Sequence, residues 1–211
     1  LRRRLILLEG ILADNGSIFI HLDWKKAHYI KLVMDEVFGE GNFRNELYWY
    51  YTNKIPDSRK KQFTNSTDII LFYTKGRDNF FQHLETLRDI PIKVSKMKKV
   101  DGKKIYVKDE QGKGIYQERF TRTMDNVWNI PLLHAQSEII DYPTQKPEEL
   151  LKRIIECSTE PGDLVVDVFA GSGTTLAVAE KLNRRWIGCD IGKLAIYTTQ
   201  KRLLEIDQSK S

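Results

Sequence analysis

A chain of 211 residues with 41% hydrophobic and 10% aromatic content reads as a soluble globular protein, long enough to bury the core of one domain with a small appended module. Its net charge of +5, from 34 Lys and Arg against 29 Asp and Glu, suits an anionic partner, although many modestly basic enzymes touch no nucleic acid. Cys157 and Cys189, both in apolar contexts, read as core residues of a cytoplasmic protein and offer neither a disulfide framework nor Cys/His metal-ligand spacing; no apolar run is long enough for a membrane span or a signal peptide.

In chain order, Leu1, Leu5, Leu8, Ile11 and Leu12 recur at helical spacing and Asp14-Asn15-Gly16 supplies the stop, so a helix packed on a sheet comes first. Ser17 to Leu22 is a strand. Asp23 is the N-cap of a helix whose buried stripe is Ala27, Ile30, Met34 and Val37, ending at Gly39. Phe43 to Tyr51 and Asp68 to Thr74 are strands, the second closed by Lys75-Gly76.

From Asp78 to Asp141 the periodicity fades into an inserted loop or hairpin module. Lysines there alternate with Asp101, Asp109 and Glu110, and Gly102, Gly112 and Gly114 mark turns. Lys98, Lys99, Lys103 and Lys104 are candidate contacts to a DNA backbone, against the plain alternative of a solvated lysine-rich loop. Trp128-Asn-Ile-Pro131 returns the chain to the core. The four histidines, His21, His28, His83 and His134, are scattered and read as structural or surface residues.

Pro147 opens a helix running from Glu148 to Cys157, with Leu150, Leu151, Ile154 and Ile155 as its apolar face. Leu164 to Val168 is an apolar strand, Gly171-Ser-Gly173 a tight turn, Thr174 to Leu182 a helix, and Trp186 to Cys189 a second strand. This is the unit in which glycines admit close backbone approach and an acid about twenty positions on, here Asp190, binds ribose hydroxyls. Asp167 at the strand end repels phosphate. It suits a ligand with an ammonium and a sulfonium, such as S-adenosylmethionine, and argues against a dinucleotide oxidoreductase. A final helix from Lys193 to Glu205 carries a polar tail, Asp207 to Ser211, expected to fray.

Asp167-Val-Phe-Ala-Gly-Ser-Gly-Thr-Thr175, preceded by Tyr142-Pro-Thr-Gln-Lys-Pro147 and followed by Arg185-Trp-Ile-Gly-Cys-Asp190, resembles the β-class N4-cytosine/N6-adenine DNA methyltransferases, the type III modification subunits among them. Gly16-Ser-Ile-Phe-Ile-His-Leu-Asp-Trp24, Met34 to Gly39 and Asn42 to Glu46 with Trp49 extend the likeness. It implies an α/β, Rossmann-like S-adenosylmethionine-dependent sheet with helices on both faces, and it covers both ends of the chain but not the middle from about Asp78 to Thr123; the expected division is a core of residues 1–77 and 142–211 around an inserted target-recognition segment at 78–141.

The resemblance further implies a cofactor site in which Asp167, Phe169, Ala170, Gly171, Ser172, Gly173 and Thr174 form the loop against the methionine part. Asp190 holds the ribose, and Thr144, Gln145, Lys146 and Pro147 close over the carboxylate end; Phe169 has the alternative of a plain core aromatic. Implied partners are double-stranded DNA, a restriction subunit and a second copy, with no membrane. The family's Asp-Pro-Pro-Tyr tetrapeptide occurs nowhere in the 211 residues, so no catalytic residue is assigned. The expectation is a truncated chain unable to catalyse alone, its start at Leu1 rather than Met hinting at sequence upstream. Adenine N6 is the expected target over cytosine N4, and the alternative function is a non-catalytic cofactor- or DNA-binding module.

Overall fold

The computed structural model describes residues 1–59, 61–133, 140 and 142–210, with the last four side chains excepted; His134, Asp141 and Ser211 lie outside that set. In chain order the elements are α1 (Arg2–Ile11), β1 (Ser17–Leu22), α2 (Ala27–Phe38), β2 (Phe43–Tyr50), β3 (Thr67–Thr74), β4 (Glu85–Ser95), β5 (Met97–Val100), β6 (Lys103–Tyr106), β7 (Tyr116–Thr123), β8 (Val127–Asn129), α3 (Glu148–Ser158), β9 (Leu164–Asp167), α4 (Thr174–Lys181), β10 (Arg185–Gly188) and α5 (Lys193–Lys210). They divide into two compact units: Leu1–Gln82 with Asp125–Ser211, and His83–Met124.

In the larger unit, β3 is antiparallel to both β1 and β2, and β8 runs parallel to β2, giving the order β1-β3-β2-β8. The continuous apolar run Ile69 to Tyr73 explains why β3 lies inside: both of its faces are buried. One face, Ile69, Leu71 and Tyr73, packs on Leu5 of α1 and on Ala27, Met34 and Phe38 of α2. Asp23 caps the turn before α2, its Oδ1 accepting from Lys26 N at 2.9 Å, and Gly39 ends the helix at φ +84°. Trp128 and Ile130 return to the core as expected, both buried, and the Ile130 carbonyl accepts from Trp49 Nε1 at 2.7 Å.

The carboxyl-terminal elements of the same unit form a parallel pair, β9 with β10, in register from Leu164↔Arg185 to Asp167↔Gly188. That is the pairing a crossover through α4 requires. Val165 and Trp186 pack toward Ile155, Val178 and Ala179. Leu164, Val166 and Ile187, on the alternate positions, are 46%, 42% and 50% exposed. Among the described residues β9 bonds β10 alone, and the four-stranded sheet is separate and mainly antiparallel.

Two local expectations also change. Cys157 is buried but Cys189 is exposed, because the alternation along β10 carries on past Gly188 and puts Cys189 on the side of Arg185 and Ile187. α5 runs on to Lys210, since no Gly or Pro follows Glu205 to stop it.

The smaller unit is built of two antiparallel ribbons. β4 pairs β7 with an irregularity between Leu87 and Ile92, and β5 pairs β6 across Asp101-Gly102, whose φ values of 49° and 80° give the tight turn that matches strand twist. No residue of these four strands is buried, and most are exposed.

Candidate functional site

β9 delivers Asp167 to the start of a loop that doubles back under α4. One carboxylate oxygen of Asp167 accepts from Phe169 N at 3.0 Å; the other has no hydrogen-bond partner among the described residues. Ala170 is buried and its N–H bonds Cys189 O at 3.0 Å, so the loop is pinned to the end of β10. Gly171 and Gly173 take φ of +52° and +72°. Gly173 has a second constraint, because a Cβ there would lie 2.6 Å from Thr199 Oγ1.

Asp190 holds the loop from the other side. Its Oδ2 accepts from Gly171 N at 2.9 Å and its Oδ1 from Gly192 N at 2.8 Å. These backbone N–H groups hold its carboxyl below the usual range. Phe169 is 55% exposed under the Arg4 guanidinium, 5.4 Å from its ring centre, which overturns the core-aromatic alternative.

The 144–147 segment is clipped to this loop by side chains. Thr174 is buried, and its hydroxyl donates to Lys146 O at 3.3 Å while accepting from Arg202 Nη1 at 3.0 Å and contacting Ser172 Oγ at 3.0 Å. Arg202, buried on α5, also donates to Glu148 Oε1 at 2.7 Å, and Lys181 donates to both Glu148 oxygens at 2.7 and 2.8 Å. Burial pushes the Glu148 carboxyl up, but the Lys181 and Arg202 bonds prevail and leave it below its ordinary value. Pro147 is buried beneath this network, Gln145 Oε1 accepts from Ile140 N at 2.9 Å, and Thr144 is exposed.

Lys146 is half-buried, with its ammonium 5.8 Å from the Trp49 ring centre and no ion-pair partner among the described residues. Burial lowers its pKa, with Asp68 opposing at longer range. Asp68 in turn meets His21 Nε2 at 3.0 Å, and the His21 ring lies 5.5 Å from Trp49. The carboxyl ends of β1 and β2 therefore share one neighbourhood with the 144–147 segment and the 170–174 loop. A carboxylate oxygen without a partner at one place and an ammonium without a partner at another suit a ligand carrying both charges. Sequence reasoning missed Arg202, Thr199, Glu148, His21 and Asp68; Arg202 and Thr199, on the inner side of a weakly patterned helix, left no signal beyond their type.

Lys98, Lys99, Lys103 and Lys104 all lie exposed on the β5–β6 hairpin of the other unit. Register places Lys99 opposite Lys104, Lys98 opposite Ile105 and Val100 opposite Lys103, so two lysines point to each face. Like charges directly opposite repel unless an anion lies between them.

A family model described as DNA methylase matches residues 1–201. The type II methyltransferase M2.DpnII of Streptococcus pneumoniae is 30% identical over 96% of this chain and 65% of its own length, and the DNA adenine methyltransferase YhdJ of Escherichia coli (strain K12) is 30% identical over 92% and 62%. The chain spans about half to two thirds of the length of the curated relatives it matches. A crystal structure of an M1.HpyAVI–SAM complex superposes with a TM-score of 0.65 at 22% identity, covering 96% of this chain and 81% of that one, a likeness of fold.

Proposed function

Because the chain belongs to the DNA methylase family of N6-adenine and N4-cytosine methyltransferases, we propose that it is the cofactor-holding and target-reading part of an enzyme that transfers the methyl group of S-adenosylmethionine to an exocyclic amine in duplex DNA. The observation that carries this reading is the pair of unsatisfied charges flanking the glycine loop. Asp167 offers a free carboxylate oxygen for the ammonium and sulfonium end, and half-buried Lys146 offers an ammonium for the carboxylate. Asp190 keeps lone pairs for ribose hydroxyls beyond those its two backbone donors use. The adenine-specific name of one relative supports N6 over N4, and the type II names support a restriction-modification setting in the cytoplasm.

The 211 residues hold no Asp-Pro-Pro-Tyr tetrapeptide, so nothing among them fixes the base amine in line with the methyl group, and positioning supplies most of the rate in such transfers. By itself this chain binds and does not transfer, which is also what a non-catalytic binding module would do.

Calorimetry with S-adenosylmethionine and with its demethylated product tests the reading. The two ligands differ in the charge at sulfur. Asp167→Asn should weaken S-adenosylmethionine more than the product, and Lys146→Met should weaken both, each by about tenfold where a charge-assisted bond is lost. Absence of binding by the unaltered chain, or equal effects of Asp167→Asn on both ligands, overturns the charge assignment. Turnover in a parallel assay on duplex DNA overturns the claim that this chain only binds.

A further inference from the structure

We propose that Trp24, Tyr29 and Leu32, with Lys25 and His28, form a platform for an unstacked DNA base. These five residues line one hollow at the start of α2. Residues 25, 28, 29 and 32 recur at helical spacing on the side of α2 opposite Ala27, Met34 and Phe38, which are buried. The apolar members are open to solvent, Trp24 at 45%, Tyr29 at 70% and Leu32 at 69% exposed. Trp49 and Trp128 are buried and donate their ring N–H groups to carbonyls, and Trp186 donates to Glu180; the Trp24 ring N–H has no hydrogen-bond partner among the described residues.

Charge selects the occupant. Of the carboxylates close by, Asp35 is engaged by Lys31 and Tyr73 and Glu36 by Arg2, while Asp23 uses one oxygen on Lys26 N. Two cations lack such pairing: among the described residues the side chains of Lys25 and Lys26 have no carboxylate partner, and Lys25 Nζ lies 5.5 Å from the Trp24 ring centre. An apolar protein face seated here would strip water from those cations without supplying acceptors. A nucleic-acid strand supplies both a flat base for the rings and phosphates for the cations. The base must be unstacked, because bases inside a duplex cover each other's faces.

Position agrees with this occupant. Trp24 lies just past His21, which joins Trp49, Lys146 and so Thr174 through the contacts given above. The strand that ends in that neighbourhood thus leads directly into the residues of the platform. The inference rests on the reading that this chain binds DNA.

The test measures binding by the unaltered chain, Trp24→Ala and Lys25→Ala to a single-stranded deoxyoligonucleotide of about ten nucleotides, to the same strand with abasic sites, and to a duplex. Stacking on one ring predicts about a tenfold loss for Trp24→Ala on the single strand and a much smaller loss on the abasic strand. Lys25→Ala should weaken all three. Tryptophan fluorescence of the unaltered chain should be quenched on adding the base-bearing strand, and that change should vanish in Trp24→Phe. Equal affinities of Trp24→Ala and the unaltered chain, or loss of self-association with DNA affinity unchanged, overturn the platform while leaving the DNA-binding reading intact. No binding of any strand by the unaltered chain removes both, and cofactor affinity equal to the unaltered chain's verifies that each variant is folded.

Discussion

Asp190 acts twice with one carboxylate. It ties Gly171 and Gly192 together through backbone N–H bonds, and it is the residue proposed above to take the ribose hydroxyls. Asp190→Asn is therefore expected to lower both cofactor affinity, by about tenfold, and melting temperature, read by calorimetry and thermal shift. A change in affinity alone would mean that the backbone bonds hold the loop without the charge. Because its carboxyl lies below the ordinary value when folded, its contribution is complete above the usual carboxyl range, about pH 4, and disappears as pH falls through the folded value. The cysteines give a simpler check. Burial pushes the Cys157 thiol up to about 12, whereas Cys189 is exposed, so at neutral pH an alkylating reagent should label one cysteine in the native chain and both in denaturant.

At the scale of elements, the turn into α4 depends on space that only glycine leaves. Gly173→Ala combines φ +72° with a contact against Thr199; the backbone term alone costs roughly 1–2 kcal/mol. Melting temperature should fall by several degrees, and Thr199→Ala should restore part of the loss, since it removes two of the three close atoms. The clip between α3, α4 and α5 gives a second prediction. Glu148 is lowered below its ordinary pKa by Lys181 and Arg202 against the cost of burial, so it stabilises the fold above about pH 4.5 and stops doing so as pH drops through its folded value. Glu148→Gln should cost about 2 kcal/mol at neutral pH and little in acid. A constant difference from pH 3 to 7 would assign the effect to packing instead of charge.

At the scale of the whole molecule, the two compact units permit a clean separation. Met124 N donates to Leu84 O at 2.8 Å, so the ends of the His83–Met124 unit meet and a short Gly-Ser linker can replace it. The shortened chain should keep its cofactor affinity and lose most of its duplex affinity. Substituting Ala for Lys98, Lys99, Lys103 and Lys104 together tests the arrangement of charge. Each phosphate contact adds about 0.9 to the slope of log affinity against log salt, and only two of these lysines share a face. The slope should therefore fall by about 2, where four contacts would give nearly twice that.

Local sequence carried the elements of the larger unit and the make-up of the glycine loop, but not the four strands of the smaller unit. Apolar period marked β1, α2, β3, α3 and β9, and Asp167, the glycines and Asp190 marked the loop between β9 and α4, because strand alternation, helix caps and left-handed turns are decided by residues a few positions apart. Tertiary structure decided the rest. Arg202 reaches Glu148, Asp68 reaches His21 and Thr174 reaches Lys146 between residues remote in sequence, and no local pattern encodes which will meet. The same holds for the sheets: a four-residue strand such as β9 specifies one apolar face, but which neighbour bonds its backbone is fixed by where the helices leave room. Burial follows from that packing, which is why Cys157 and Cys189, alike in their apolar surroundings along the chain, end on opposite sides of the protein surface.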